Sequence, residues 1–600
     1  MPGCSRQPAG EVRILAVVPF ENLTGDTRFD WLGAAIPVLL ERQLSASTTV
    51  RPVPVASISG AYAAGAAEVL EGYWAPGPGG SLALHGTLED LGRLRSIRTF
   101  LVTGPPDGVL SSAGQLARGL DPSARPYPSQ NLAAIRAFTL ARADPGSSSA
   151  RSLLEQAVAA DPGYGPAWVA LAGRLVESGE ATAARQVMEQ ALAAKVSEDD
   201  RARLEALQAG LRGDEAGRER ALAKLSELDR GDVNLLLHAA GSAYRERRYS
   251  EAAALYGKAA AASPRQPGTW NLLAYAQACA GDLAGAEASL EKYRQLAPGD
   301  PNRLDSLGDV HYLFGRFDEA RKYYLEAAAT SPRFLGGGPL HKAAEAEWMA
   351  GRQGEADALE RRYLDARRAA ADPLLPYREA QWKYLTGRQG EAAAALEAAV
   401  GSMSGDAAAL ARAELAAWRL EGGDPAGARR QSAASLELTA NPQIRLLALM
   451  SQAAALDGDR GRMEQFVRQA VPGEAARDQA LGWALLFRGL FAEAEPFVAA
   501  VERHAPPDAA GQTGVLRAWT LVRAGKVNDA ASFTERYPLP SASGEGPLSV
   551  LVTPRWFFVR AMVLRQRGRS TEAAALIGRY RQYAGYSRFA REDLAQWGGP

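Results

Sequence analysis

Five histidines, His85, His238, His311, His341 and His504, are the residues best suited to hold a metal or move a proton, and they are scattered. None stands in an HExxH frame or beside a second Cys or His at zinc-ligand spacing, so each reads as a helix-face or strand residue. The run Gly336-Gly337-Gly338-Pro339-Leu340-His341-Lys342 has the glycines of a phosphate loop but lacks its Gly-Lys-Ser/Thr ending. It reads as an irregular turn between helices. Acidic residues are many, yet no pair sits on a recognisable frame for general acid-base chemistry, and solvated helix faces account for them. Asn22-Leu23-Thr24 fits a glycosylation sequon and reads equally as a loop after a strand. Cys4 and Cys279 lie too far apart in sequence, one of them in a tail, to suggest a structural disulfide. These residues carry no catalytic constellation, so the expectation is a non-enzymatic chain with no cofactor and no metal.

Composition narrows the partner. The chain has 600 residues, 47% hydrophobic and 23% charged, which is too long for one core and calls for several domains or an array. Lys plus Arg and Asp plus Glu are equal at 68 each, so no net field draws the chain toward nucleic acid or an anionic membrane. No apolar run reaches the roughly 18 residues that a membrane span requires; the stretch from Leu481 to Phe487 ends at Arg488.

The elements that position these residues repeat. Pro264, Pro298 and Pro332 are each 34 residues apart, as are Gly281 and Gly315, and Ala286 and Ala320. In one unit Leu304, Leu307 and His311 share a face of a first helix, and Gly308 is small enough to admit its neighbour. Gly315 turns the chain, Phe317, Ala320, Tyr324 and Ala327 line a second helix, and Pro332 stops it. A hairpin of this kind cannot bury its apolar face alone, so units must stack. The turn Gly with an Ala five residues on recurs from Gly179 to Gly568, giving about ten units. The hexapeptide Gly-Arg-Gln-Gly-Glu-Ala occurs from both Gly351 and Gly387, a mark of duplication. This period resembles that of tetratricopeptide repeats over roughly residues 125 to 590.

Ahead of the repeats, Arg13 to Phe20 reads as a buried strand, followed by a helix with Leu32, Ala35, Leu39 and Leu40 on its apolar face. A strand around Thr49 to Val53 completes a βαβ-like unit, with further strands at Ala67 to Tyr73, Leu82 to Glu89 and Ser96 to Thr103 and a helix over Asp107 to Ala117. The run Ala16-Val17-Val18-Pro19-Phe20-Glu21-Asn22-Leu23-Thr24-Gly25-Asp26 resembles the first motif of the TolB amino-terminal-like domain, and Val69-Leu70-Glu71-Gly72 resembles a later strand of that family. Two departures are the short segment Ser57 to Ala66 and the loop Pro76-Gly77-Pro78-Gly79-Gly80. The resemblance implies a bacterial envelope or signalling-associated protein and brings no catalytic residues with it. Gly3-Cys4-Ser5 resembles the end of a bacterial lipoprotein signal, in which case Met1 lies inside a signal peptide and Cys4 is lipidated; the other reading is a free Cys in a tail.

The expected architecture is α+β, a small amino-terminal α/β domain followed by a long all-α tetratricopeptide-like superhelical solenoid. Its expected parts are a tail over 1–11, the TolB-like domain over 12–122, the array over 123–590 and a carboxy-terminal tail over 591–600. In tetratricopeptide repeats the first helices line a concave groove, which here places His238, Ser242, Arg245, Asn271, Tyr275, Asp305, Asp309 and Tyr312 at exposed, protein-binding positions. Two aspartates there would repel a terminal carboxylate, so an extended or helical protein segment is the expected partner. The expected role is an assembly scaffold in the periplasm or cell envelope. The alternatives are a cytoplasmic location and a sensory subunit that relays a signal to a separate kinase or transcription regulator.

Overall fold

A computed structural model describes residues 13–45, 47, 49–63, 66–93, 95–228, 233–457, 459–505, 510–536 and 546–598. Cys4 and Gly458 lie outside them, as does the side chain of His504. The described residues form two compact units: residues up to Ala276, apart from 245–247, and those three residues with everything from Gln277 onward.

The first unit opens with a sheet. Strands β1 (Arg13–Val17), β2 (Glu21–Asn22), β3 (Val50–Pro54), β4 (Glu68–Pro76), β5 (Leu82–Asp90) and β6 (Arg95–Gly104) are joined through helices α1 (Leu32–Gln43) and α2 (Ile58–Ala63), and α3 (Val109–Leu120) follows. The order is β3-β1-β4-β5-β6, with β2 paired to β4. β1 runs parallel to β3, with Leu15 opposite Pro52, and parallel to β4, with Leu15 opposite Glu68, so β1, α1 and β3 make the expected parallel crossover. β4, β5 and β6 are antiparallel, with Tyr73 opposite His85 and His85 opposite Leu101. The apolar run of β1 is buried on both faces: Leu15 and Val17 pack under α1 and α3, while Ile14, Ala16 and Val18 pack toward α2. The short segment Ser57 to Ala66 is thus occupied by α2.

Helix pairs follow at once. They are α4 (Leu132–Ala143) with α5 (Ala150–Ala160), α6 (Gly165–Glu177) with α7 (Ala181–Ala193), α8 (Glu198–Arg212) with α9 (Glu215–Leu228), and α10 (Val233–Arg245) with α11 (Tyr249–Ala262). No apolar gap separates them from the sheet. One continuous core runs from Leu15 and Trp74 through Phe138, Tyr164 and Trp168 to Leu204. Arg42 of α1 seals that join from the side, 2.6 Å from Asp199 and 2.9 Å from Asp200 at the start of α8.

The array continues through α12 (Pro267–Cys279) and α13 (Leu283–Leu296), α14 (Pro301–Leu313) and α15 (Phe317–Thr330), α16 (Gly338–Met349) and α17 (Gln353–Ala369), and α18 (Leu375–Leu385) and α19 (Gln389–Ala399). Next come α20 (Gly405–Gly422) and α21 (Pro425–Leu438), α22 (Pro442–Ala454) and α23 (Arg460–Ala470), α24 (Glu474–Phe487) and α25 (Phe491–His504), and α26 (Ala510–Arg523) and α27 (Val527–Arg536). The last stretch holds a short helix α28 (Ser549–Val552), the pair α29 (Arg555–Gln566) and α30 (Ser570–Tyr580), and α31 (Arg588–Gly598). The turn glycines work as the spacing predicts. Gly315 sits at φ 69° and Gly281 at φ 88°, conformations that cost an ordinary residue free energy. A Cβ on Gly308 would stand 2.3 Å from the ring of Tyr324, so the close approach of α14 and α15 requires glycine there.

One expectation needs correction. Residues 591–598 are no tail: they belong to α31, in which Asp593 is fully buried. The glycine run is an irregular turn between helices, as expected: Phe334–Gly337 form a short 3-10 turn with Leu335 and Gly336 at positive φ, and Gly338 opens α16.

Candidate protein-binding surface

The eight residues expected to face a groove meet different fates. Arg245 is exposed; His238, Asn271, Tyr275 and Asp309 are half-buried; Ser242, Asp305 and Tyr312 are buried. On α10, His238 Nε2 lies 3.3 Å from Glu219 of α9. The expectation therefore fails for α14. Its next neighbour, α16, sends Lys342 back against it, with Nζ 2.7 Å from Asp305 Oδ2 and 2.9 Å from Asp309 Oδ1. The Tyr324 hydroxyl donates to Asp309 Oδ1 at 2.8 Å, and the Tyr312 ring packs edge-on against Phe317. Burial lifts the Asp305 carboxyl to about 6, with the Asp309 charge adding to it and Lys342 opposing it. Burial disfavours the Lys342 cation, but the two aspartates outweigh it and hold its pKa above the ordinary value. The two aspartates are thus engaged inside the chain by Lys342 and Tyr324 and are not turned toward a partner.

In the second unit the inner row of first helices is already covered. Five of them, α16, α18, α20, α24 and α26, contact the chain's own last stretch, and at α16, α18 and α24 the contacts follow one chemical rule. The last turn of a helix leaves carbonyls without an intrahelical donor, at the negative end of its dipole. Arg579 donates to Met349 O at 2.6 Å and to Trp348 O at the end of α16. Tyr583 donates to Leu385 O at 2.6 Å at the end of α18, and Tyr586 to Trp418 O at 3.2 Å near the end of α20. Arg588 donates to Phe487 O at the end of α24.

Between these caps sit buried ion pairs. Arg555 lies 2.8 Å from Glu421 Oε2, with its guanidinium 3.7 Å from the centre of the Trp519 ring, a stacked cation-π contact. Asp593 accepts from Trp519 Nε1 at 3.0 Å, Arg523 Nη1 at 2.9 Å and the Tyr580 hydroxyl at 2.7 Å. Glu414 accepts the backbone N–H of Leu548 at 3.2 Å and Trp418 Nε1 at 3.2 Å. Desolvation raises Glu414 to about 7 and Asp593 to about 6 against the hydrogen bonds that favour their anions. Burial in the covered helices is therefore all-round: in α24 every residue from Ala480 to Phe487 is buried. Sequence reasoning missed this arrangement, although the cluster Arg555-Trp556-Phe557-Phe558 with Tyr580, Tyr583, Tyr586 and Phe589 is richer in aromatic residues than the other repeats.

The motif of the front loop has a structural explanation. Asn22 Nδ2 donates to Asp30 Oδ1 at 2.7 Å and to Asp26 O at 3.0 Å, and Thr24 Oγ1 donates to Asn22 Oδ1 at 2.6 Å. Asp26 in turn pairs with Arg28 at 2.6 Å. Asn22, Thr24 and Asp26 fold the loop onto itself. Gly72 is required because a Cβ there would lie 2.4 Å from the Phe20 ring.

Residues 148–211, spanning α5 to α8, match the tetratricopeptide repeat family. Over that stretch the chain resembles tetratricopeptide repeats. In two of the repeats the first-helix tryptophan caps the preceding turn in the same way, Trp168 Nε1 donating to Pro162 O and Trp270 Nε1 to Pro264 O, each at 2.9 Å. Among solved structures, the chain is similar to MamA, at 18% identity over 29% of this chain and 94% of that one, with a TM-score of 0.26. It is also similar to PilW, described as a type IV pilus biogenesis factor, at 20% identity over 34% of this chain and 95% of that one, with a TM-score of 0.27. A tetratricopeptide repeat protein from Parabacteroides merdae gives 14% identity over 42% and 98%, with a TM-score of 0.29. Comparison with curated proteins gives no match. Among the described residues no helix is long and apolar enough to cross a membrane, and no three His, Cys, Asp or Glu side chains converge as metal ligands.

Proposed function

We propose that the chain is a non-catalytic scaffold that binds other proteins through the first helices of its repeats. The observation that carries this reading is the covered inner row of the second unit, where first-helix ends hold a helical polypeptide through Arg579, Tyr583 and Arg588. Repeats of this type bind helical segments by their geometry, and here one segment is bound within the chain itself. A partner from outside needs first helices that are not covered in this way. His238 on α10 and Asn271 and Tyr275 on α12 are half-buried and offer polar and aromatic groups beside the exposed Leu272. Asp305, Asp309 and Tyr312 drop out of the docking set.

A location in the bacterial cell envelope, with Cys4 as a lipid anchor, rests on the resemblance of the front motif to the TolB amino-terminal-like domain and on Gly3-Cys4-Ser5. The sensory alternative draws support from the ion pairs of Arg42 with Asp199 and Asp200, which tie the front sheet to the third helix pair. Affinity purification from the native organism, comparing the natural chain with a triple His238→Ala, Asn271→Ala, Tyr275→Ala variant, tests the main reading. Specific partners that the natural chain retains and the variant loses are expected. An unchanged partner set, with both proteins equally folded, would remove these helices from the binding surface.

A further inference from the structure

The carbonyls by which the second unit holds its own last stretch occupy one position of the repeat. Met349 O stands two residues before the turn glycine Gly351, Leu385 O two before Gly387 and Phe487 O two before Gly489. They accept from Arg579, the Tyr583 hydroxyl and Arg588. Three first helices thus present the same acceptor at the negative end of the helix dipole. Arg579 and Tyr583 are four residues apart where α30 runs into the 3-10 turn Arg581–Gly585, so they share a side of that stretch and reach α16 and α18 in chain order. In the first unit the same position falls at Glu177 O on α6, two residues before Gly179, and at Leu211 O on α8, two before Gly213. No described residue donates to either carbonyl. The front sheet ties in at the other end of α8, where Arg42 meets Asp200, about 16 Å of helix away from Leu211.

We propose that α6 and α8 bind a helical segment of a partner protein that carries Arg and, four residues later, Tyr. The Arg donates to Glu177 O and the Tyr to Leu211 O, as Arg579 and Tyr583 donate to Met349 O and Leu385 O. This rests on the scaffold reading and adds the chemistry of the occupant. The repeat step agrees with it: Glu177 and Leu211 are 34 residues apart, Met349 and Leu385 are 36, and each step is one repeat. Donor spacing that serves one pair of helix ends therefore serves the other. The charges agree with the order. Glu177 is exposed and adds its carboxylate to the end of α6, which favours a guanidinium there. At the end of α8 the exposed Arg212 disfavours a second cation, and Asp214 is engaged by the Gly217 N–H, so a neutral hydroxyl is the better donor. Val176 and Leu211, both half-buried, offer apolar contact beside the two acceptors.

Fluorescence anisotropy of a labelled peptide with the sequence of residues 574–590, added to the full chain, tests the site. The peptide carries Arg579 and Tyr583 at the required spacing, and the chain's own last stretch keeps α16, α18 and α24 occupied. Saturable binding is expected, weakened at least about tenfold in dissociation constant by Arg579→Gln or by Tyr583→Phe in the peptide. These changes leave the protein untouched, so misfolding cannot imitate them. Val176→Lys with Leu211→Lys in the full chain is expected to weaken binding as much, with circular dichroism and melting temperature unchanged. The His238→Ala, Asn271→Ala, Tyr275→Ala variant is expected to bind the peptide as the natural chain does. A peptide that does not bind, or binds with no response to either peptide change, overturns the proposal, whatever the partner comparison by affinity purification gives. Binding that the triple variant loses and the lysine variant keeps places the occupant on α10 and α12, which overturns this site and leaves the scaffold reading standing.

Discussion

Lys342 carries its charge into the interior and survives there because Asp305 and Asp309 hold it from two sides. Removing one partner of a buried pair leaves the other charge uncompensated, so Lys342→Met is expected to cost about 3–5 kcal/mol of stability, read from chemical denaturation at neutral pH. The pH dependence has a definite sign. Asp305 sits at about 6, above its ordinary value, and an acid raised on folding adds stability that is lost as pH rises through the folded value. The Lys342→Met loss is therefore expected to be smaller at pH 5 than at pH 8. Glu414 follows the same rule more strongly, being raised to about 7 where it faces Tyr377, Trp418 and the Leu548 N–H. Between its ordinary value of 4.5 and about 7 the folded chain holds a proton that the unfolded chain releases, so stability falls as pH climbs through that window. Glu414→Gln is expected to flatten that slope and to raise stability at pH 8 by roughly 2–3 kcal/mol, checked by melting curves at several pH values.

At the scale of the element, the helix pair α14–α15 shows what spacing can specify. Gly308→Ala drives a methyl group into the buried ring of Tyr324 and is expected to cost about 1–3 kcal/mol, seen as a lowered denaturation midpoint. Gly308, Gly315 and Ala320 were all readable because a hairpin is local: its turn, its close contact and its stop lie within one period. The front strands were readable for the same reason, their apolar runs and the Asn22 to Asp26 loop being short-range signals. Asp305 and Tyr312 misled because a first helix has one face toward its own partner and another toward the next pair, and residue spacing cannot say which of the two is filled. Lys342, 37 residues beyond Asp305, fills it. Arg555, Arg579 and Asp593 were beyond reach altogether, since they meet helices from α16 to α26 whose distance along the chain no period encodes.

For the second unit as a whole, the last stretch acts as core and not as an appendage. Deleting 546–598 uncovers Trp348, Trp418 and Trp519 together with the carbonyl ends of three helices. The shortened chain is expected to bind a hydrophobic dye strongly and to aggregate, monitored by dye fluorescence and light scattering. A soluble, monomeric shortened chain would instead mark the stretch as a removable occupant.

The core shared by Leu15, Trp74, Phe138 and Leu204 bears on how the protein is made. A ribosome delivers the amino-terminal sheet first, and domains that own their cores can close as they emerge. The sheet is covered by α1 and α3, but the outer side of α1 rests on α4 and, through Arg42, on α8, so that helix lacks its last partners until α8 has been synthesised. Until then the outer side of α1 remains incompletely covered during synthesis, which makes the nascent front segment a natural client for a holding chaperone and makes a pause in translation before residue 200 more costly than one after it.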